Sequence, residues 1–92
     1  MTLALVWRDE AVTDLLDIFD YIAERNITAA DRLLAMIEHM TEHLPDHSYL
    51  HRPGRVSETR EAIVHPNYIL VYRVAADAVE ILAVLHARQQ YP

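Results

Sequence analysis

Cysteine and lysine are both missing from this 92-residue chain, and glycine occurs once, at Gly54. Without cysteine the chain can form neither disulfides nor thiolate metal sites, and the composition suits a reducing compartment. A single glycine excludes the glycine-rich loops that cradle phosphates and dinucleotides. No apolar run is long enough to span a membrane, and the start MTLALVWRDE has no basic residue before its short apolar run, unlike a secretory signal. We therefore expect a cytoplasmic globular protein with a single domain, residues 1–92.

Charge is distributed unevenly along the chain. All eight positive side chains are Arg, and the formal net charge is −6. Residues 1–46 hold ten acidic residues and three Arg (net −7), whereas residues 47–92 hold four acidic residues and five Arg (net +1). Arg is a planar donor that pairs well with carboxylates and phosphates. The negative total nevertheless opposes direct binding to nucleic acid.

Apolar spacing predicts a strand and a helix at the start of the chain. Residues 3–7, LALVW, are apolar and bounded by charge, which is typical of a β-strand. A helix is predicted from Asp9 to Asn26. Its apolar stripe consists of Ala11, Leu15, Ile18 and Ile22. The acidic residues of the same helix are predicted to face solvent: Asp14, Asp17, Asp20 and Glu24.

A second helix follows after a short connection. Thr28–Asp31 resembles a capping box, which predicts the start of the helix at Thr28. Pro45 is expected to end it. The apolar positions between them repeat the spacing of the first helix: Leu33, Ile37, Met40 and Leu44. The short connection predicts an antiparallel helical hairpin.

The apolar period changes to two after a polar segment, residues 46–57, that we predict to be irregular. Strands are predicted at residues 60–64, 68–75 and 79–85, joined by turns at 65–67 and 76–77. The order of elements predicts an α+β fold of two layers. It contains an N-terminal strand, the antiparallel helical hairpin on one sheet face, and a three-stranded antiparallel meander (β-α-α-β-β-β).

One short motif could suggest a metal site. His39, Glu42 and His43 match the pattern H-x-x-E-H of inverted zinc peptidases. Pro45 should end the helix two residues later, no distant third ligand is evident, and the chain is too small for a peptidase cleft. We interpret the motif as a solvated helix face and predict no metal and no cofactor.

The order of several segments resembles the toxins of bacterial type II toxin–antitoxin modules, the RelE/ParE superfamily. The resemblance covers essentially the whole chain. The segments that carry it are EAVTDLLDIFDYIAERN, TAADRLLAMIE, LHRPGR, TREAIV, YILVYRV and VEILAVLHARQ. It implies a compact toxin that is neutralised by an antitoxin encoded beside it, within a toxin–antitoxin assembly that can be of higher order.

The superfamily contains two branches with different targets. RelE-like members cut messenger RNA on the ribosome, using Arg against phosphate charge and Tyr, His or Glu for proton transfer. They commonly carry Arg in the middle strand, in the place of Ile69, and Lys in the loop before the meander, where this chain has none. ParE-like members have no RNA chemistry and are understood to poison DNA gyrase. The apolar Ile69 therefore favours the ParE-like branch, with gyrase as the target and a ParD-like or other antitoxin as the partner.

Three functional hypotheses follow from the resemblance. On the leading one the chain is a non-enzymatic gyrase inhibitor, with these partner-binding residues: Arg55, Arg60, Arg73, His86, Arg88 and Gln89. The alternative is a RelE-like endoribonuclease, in which Arg88 stabilises phosphate charge, His86 or Tyr91 is the acid or base, and Arg60 contacts phosphate. The third is a non-toxic module that binds only an antitoxin or itself. Independently of the family, Arg73 could simply pair with Glu80 across a hairpin.

Overall fold

A computed structural model describes residues 3–89 of the chain, with two helices on one face of a five-stranded sheet. The strands are β1 (Ala4–Trp7), β2 (Arg52–Pro53), β3 (Arg60–His65), β4 (Tyr68–Val74) and β5 (Ala78–His86). The helices are α1 (Asp9–Ala23) and α2 (Ile27–His43), and a 3-10 turn, Leu44–Asp46, follows α2. The predicted α+β class and two-layer arrangement are confirmed.

The sheet is mixed, with the strand order β1-β5-β4-β3-β2. β3, β4 and β5 form the predicted antiparallel meander. β1 runs parallel to β5, so that Ala4 lies opposite Ala78. β2 falls in the segment that we predicted to be irregular, and it pairs Arg52 with Glu61 on β3. Two residues that include a proline are too few to show a period of two, so this edge strand left no signal in the sequence.

The helical hairpin forms as predicted, but the cap of α2 does not. The side chain of Asn26 accepts a hydrogen bond from the amide of Ala29 (3.1 Å), and the helix already begins at Ile27. Thr28 therefore lies inside the first turn, and the predicted capping box is wrong. Asn26 is the residue with extended backbone that directly precedes the helix, which is the geometry a capping side chain needs to reach the third helical amide.

The core lies between the helices and the sheet, and it contains both predicted apolar stripes. Tyr72 is its largest fully buried side chain. The buried members of this cluster are Ala11, Leu33, Ile37, Leu44, Ala62, Val64, Leu70, Tyr72, Val79, Ile81 and Val84. Side chains alternate along a strand, so the neighbours of these sheet residues face away from both helices. We call that opposite side the helix-free face.

One acidic residue of α1 does not face solvent as predicted. β1 accompanies β5 only as far as Ile81, although β5 continues to His86. The carboxylate of Asp14 accepts a hydrogen bond from the amide of Val84 (3.1 Å), beyond the end of β1. The prediction that Asp14 lies on the solvent side is therefore wrong. No residue of β1 lies beside Val84, and the carboxylate of Asp14 supplies the acceptor that a longer β1 would have supplied.

Candidate functional site

The helix-free face presents an apolar centre with one acidic side chain beside it. Ile69 and Val71 of β4 point to this face, and they are 5% and 0% exposed. Val71 lies opposite Glu61 of β3, and Ile69 lies opposite Ile63. Glu61 is buried as well, at 4% exposure. The face therefore brings a buried carboxylate up against aliphatic side chains, an arrangement that requires compensating donors.

Two Arg side chains compensate the charge of Glu61. Arg52 donates to the carboxylate from Nε at 3.2 Å, and its Nη2 lies 3.0 Å from Oε1. The backbone amide of Arg55 donates to Oε2 at 3.2 Å, and the Nε of Arg55 lies 3.6 Å from the same oxygen. Both guanidinium groups remain about half exposed, while the carboxylate is enclosed. Glu61 thus anchors two cations to the surface of the sheet.

A tight loop positions Arg55 for this contact. The amide of Gly54 donates to the carbonyl of Thr59 (2.7 Å), which closes the loop between β2 and β3. A Cβ atom at residue 54 would overlap the hydroxyl of Thr59, so the close approach requires the single glycine of the chain. Glu58 adopts a left-handed backbone conformation (φ 67°) at the other side of the loop.

The same Arg55 reaches the turn that follows β5. Its Nη1 donates to the carbonyl of Gln89 at 3.3 Å. The turn itself is held by the amide of Ala87, which donates to the carbonyl of Asn67 (2.7 Å), and by the amide of Arg88, which donates to Nδ1 of His86 (3.1 Å). Arg55 and Gln89, two of the predicted partner-binding residues, are therefore in contact.

Two of the other predicted residues, Arg73 and Arg60, do not join them. Arg73 forms a bidentate pair with Glu80 (2.8 and 3.0 Å), which is the hairpin pair suggested by the sequence. Arg60 donates to the carbonyls of His51 (2.8 Å) and Tyr49 (3.4 Å). Both Arg residues lie at the end of the sheet away from His86. A strand rises about 3.3 Å per residue, so roughly 16 Å separates the two ends.

His86 lies on the opposite side of the sheet from Glu61. Its ring packs edge-on against Tyr68 (5.4 Å between centroids), and both line a groove of about 470 Å³ between α1 and the end of β5. Arg88 is exposed, and within residues 3–89 its guanidinium has no hydrogen-bond or ion-pair partner. Tyr91, the remaining residue of the nuclease alternative, lies outside the described residues. The structure thus places Arg88 beside His86, whose Nδ1 accepts from the Arg88 amide, and leaves Arg60 at the far end of the sheet.

A second set of buried contacts holds the loop before β2. The hydroxyl of Tyr72 donates to the carbonyl of Ser48 at 2.6 Å, and the ring of His51 packs edge-on against Tyr72. Burial lowers the pKa of His51, and the nearby charge of Arg60 lowers it further. Burial raises the pKa of the Tyr72 hydroxyl, an effect that Arg60 partly opposes. Both shifts favour the neutral forms, in which Tyr72 keeps the proton that it donates.

The H-x-x-E-H motif lies on an exposed face of α2. The rings of His39 and His43 meet edge-on, with centroids 4.6 Å apart. Over residues 3–89, no three His, Cys, Asp or Glu side chains lie close enough together to hold a metal ion. Neither helix in that part of the chain is long and apolar enough to cross a membrane.

Three of these contacts were missed by reasoning from the sequence: the role of Glu61, the hydroxyl bond of Tyr72 and the amide contact of Asp14. Glu61 could have been found from its place between Arg60 and the apolar run AIV, since an acid within a strand that alternates around a core must find donors. The bonds of Tyr72 and Asp14 join residues 24 and 70 positions apart. Local patterns carry no signal for such contacts.

Comparison with known proteins identifies the family. Residues 5–91 match the family model described as the ParE toxin of the type II toxin–antitoxin system parDE. The chain belongs to the ParE toxin family. It is 39% identical over 87 residues to the Sinorhizobium fredii protein named "Putative toxin Y4kP", covering 94% of this chain and 90% of that protein. It is 32% identical over 85 residues to Toxin RelE2 of Caulobacter vibrioides, covering 90% and 93% of the two chains.

Solved structures share the fold of this ParE-family toxin. The chromosomal ParDE TA system from P. aeruginosa superimposes with a TM-score of 0.82 at 20% identity, over 92% of this chain and 96% of the other. The E. coli DinJ-YafQ toxin-antitoxin complex gives a TM-score of 0.63 at 14% identity, over 94% and 93%. The YoeB dimer from Staphylococcus aureus gives 0.66 at 12% identity, over 99% and 100%. The family match, the two named relatives and this shared fold together confirm the resemblance to the RelE/ParE superfamily.

Proposed function

We propose that this type II toxin inhibits DNA gyrase without RNA chemistry and that a cognate antitoxin silences it. The observation that carries the proposal is the apolar centre of the helix-free face. RNA-cutting members of the superfamily commonly hold an Arg in the middle strand, where this chain has the buried Ile69 beside the fully buried Val71. An aliphatic side chain cannot stabilise the charge that develops on a phosphate during cleavage.

The nearby cations do not replace the missing Arg. Arg52 and Arg55 are both paired with Glu61, which cancels one of their two charges. Arg60 holds backbone carbonyls and Arg73 holds Glu80, at the far end of the sheet. His86 is separated from the helix-free face by the sheet itself. A phosphate on this face would therefore meet two cations that already share a carboxylate, and it would not meet the predicted acid or base.

Net charge supports a protein target as well. A formal charge of −6 repels the phosphates of ribosomal and messenger RNA, and the repulsion acts before any local contact forms. A protein target carries no such uniform charge. Gyrase and an antitoxin encoded beside the toxin would both be met in the cytoplasm, which is the localisation we propose.

The helical hairpin supports an antitoxin contact. It leaves large apolar side chains exposed on its outer surface: Val12, Leu16, Ile27 and Met36. An amphipathic helix can cover such a surface by placing its own apolar face against it. The ParDE and DinJ-YafQ assemblies, which have the same fold in their toxins, are toxin–antitoxin pairs. We propose a comparable pair here.

The test is supercoiling of relaxed plasmid DNA by gyrase with the purified chain titrated in. We expect loss of supercoiling together with cleaved DNA, and recovery when the antitoxin is added in equal amount. The same preparation is then incubated with translating ribosomes, and the messenger is mapped for cuts. Unaffected gyrase together with cut messenger would replace this proposal with the RelE-like alternative.

One observation keeps that alternative worth testing. Arg88 leaves its guanidinium exposed after β5, at the place of an Arg that the RNA-cutting branch also carries, and one relative bears the name Toxin RelE2. Induced expression without the antitoxin separates both activities from the third hypothesis, since a non-toxic binding module would leave growth unchanged.

A further inference from the structure

The loop between the 3-10 turn and β2 exposes two large apolar side chains side by side. Leu50 is 75% exposed and Tyr49 is 68% exposed, and no other large apolar residue among residues 3–89 is exposed to the same degree. Adjacent apolar side chains projecting from a loop lower solubility unless a partner covers them. We call residues 47–51 the Tyr-Leu loop.

Two side chains of the sheet, Tyr72 and Arg60, donate hydrogen bonds to the backbone of this loop. The hydroxyl of Tyr72 donates to the carbonyl of Ser48 at 2.6 Å, and Nη1 of Arg60 donates to the carbonyls of Tyr49 and His51. Tyr72 is fully buried, so its hydroxyl is a fixed point. The carbonyls before, at and after the exposed pair are thus bound to the fold, while the two side chains point outward.

Arg60 also orders the ring of Tyr49. Its guanidinium lies over the ring, 4.9 Å from the centroid, as in a cation–π contact. Tyr and Arg are the side chains that most often dominate the binding energy of protein interfaces. A loop that is already ordered also loses little conformational freedom on binding, which raises affinity without new contacts. The Tyr-Leu loop has both properties.

The surrounding charge indicates the kind of partner. Residues 47–61 contain three Arg (Arg52, Arg55 and Arg60) and two acidic residues (Glu58 and Glu61), in a chain whose formal net charge is −6. Glu61 is enclosed, whereas the guanidinium groups of its partners Arg52 and Arg55 are about half exposed. The loop therefore projects from the positive part of an acidic protein, and its complement is an acidic surface. Leu50 favours a protein over nucleic acid, because an aliphatic side chain has no π-face on which a base can stack.

We propose that the Tyr-Leu loop is the contact by which this toxin holds its protein target. Tyr49 and Leu50 enter an apolar pocket of the target, and carboxylates at the rim of that pocket face Arg60 and Arg52. This inference rests on the proposed toxin activity and adds the surface that performs it. The helical hairpin, with its own exposed apolar residues, is a separate surface that we assign to the antitoxin.

The test compares the full-length chain with the double variant Tyr49→Ser/Leu50→Ser. We expect the variant to need at least about tenfold more protein for half-inhibition of gyrase, because truncation of one central Tyr anchor of an interface can by itself cost more than a factor of about ten. Induced growth arrest should be lost. Antitoxin affinity and thermal unfolding should be unchanged, since both side chains lie outside the core.

Two matched controls accompany it. Tyr49→Phe/Leu50→Met keeps the apolar area and should inhibit like the unmodified chain. Val56→Ser removes an exposed apolar side chain (38%) from the neighbouring loop and should also have no effect. Equal potency of the serine variant and the unmodified chain would overturn the proposal. Loss of antitoxin binding with retained growth arrest would assign the loop to the antitoxin instead, and loss of RNA cleavage alone would assign it to nucleic acid.

The growth assay separates this inference from the proposed target. If the unmodified chain arrests growth but leaves gyrase unaffected, gyrase is wrong as the target, and the serine variant still tests the loop through growth. If the unmodified chain arrests nothing and binds no target, both proposals fail together.

Discussion

The carboxylate of Asp14 in α1 accepts a hydrogen bond from the backbone amide of Val84 in β5, a contact between residues 70 positions apart. β5 extends beyond its parallel neighbour β1, which ends opposite Ile81, so Val84 has no β1 residue beside it. A strand edge without a neighbour leaves amides that need acceptors. Asp14 supplies one, and it thereby fixes the first helix against the last strand.

Removal of the Asp14 carboxylate should destabilise the fold. We expect Asp14→Ala to lower the free energy of unfolding by about 1–3 kcal/mol, since it leaves the partly buried amide of Val84 without an acceptor. Asp14→Asn should cost less, because its carbonyl oxygen still accepts. Urea unfolding followed by circular dichroism measures both. Asp17→Ala, an exposed change in the same helix, is the control and should stay within about 0.5 kcal/mol; equal losses in the two alanine variants would contradict the assignment.

Tyr72→Phe tests whether the hydrogen bond from the Tyr72 hydroxyl orders the Tyr-Leu loop. Tyr72→Phe keeps the buried ring and removes only the hydroxyl that donates to Ser48. We expect a loss of about 0.5–1.5 kcal/mol in unfolding free energy, together with faster hydrogen exchange of the amides in residues 47–51. Tyr68→Phe removes a hydroxyl from the same strand and serves as the control. If the amides of residues 47–51 exchange at the same rate in the Tyr72→Phe variant, other contacts order the loop.

The enclosed carboxylate of Glu61 should contribute more to the stability of the fold than the more exposed carboxylate of Glu80. Glu61→Gln removes the charge opposite Arg52 and Arg55, whose guanidinium groups can still be hydrated, so we expect a loss of about 1–3 kcal/mol in unfolding free energy. Glu80→Gln, which weakens a more exposed pair with Arg73, should cost about 0–1 kcal/mol. Denaturant unfolding at low and high salt distinguishes them, because the pair with the more exposed carboxylate, Glu80, should be screened more strongly. A larger effect at Glu80 would contradict this ranking.

The pKa of His51 predicts a pH dependence of stability. Burial and Arg60 lower this pKa in the folded state, so the unfolded chain binds the proton more readily. The contribution of the neutral ring is complete above the ordinary imidazole value of about 6.5 and is lost as the pH falls from there toward the folded pKa. His51→Gln should therefore flatten the decline in unfolding free energy just below pH 6.5. The variant His47→Gln, at an exposed position, should leave that decline unchanged.

The helices and the meander were predictable because their signals are local. The stripe from Ala11 to Ile22 repeats every three or four residues, and the strands alternate every two, so each pattern identifies its own element. The position of β1 was not predictable in the same way, since its pairing with β5 joins the two ends of the chain. The start of α2 was misplaced because Asn26 and Thr28 are both good caps, and only the backbone geometry decides between them.

The site was less predictable than the fold. Five of the eight Arg residues lie in the second half of the sequence, but the sequence does not show how they are divided between the two faces and the two ends of the sheet. A bulge at Leu82 shifts the register between β4 and β5, so that Tyr72 lies opposite Ile81 while Val71 lies opposite Ala83. Such a shift decides which side chains share a face, and it leaves no mark in the apolar pattern.

Substitution of Arg88 distinguishes a gyrase inhibitor from an RNA-cutting toxin by the size of the loss of activity. If it contacts an acidic surface of gyrase at the rim of an interface, Arg88→Ala should weaken supercoiling inhibition by only about two- to threefold and leave growth arrest intact at full induction. If it stabilised a phosphate during RNA cleavage, its loss should reduce cleavage by about 100-fold or more. Arg32→Ala removes the same charge from α2 and should change neither activity. We expect the smaller effect, because cleavage would also require a cation in the place of Ile69, and that place holds a buried aliphatic side chain.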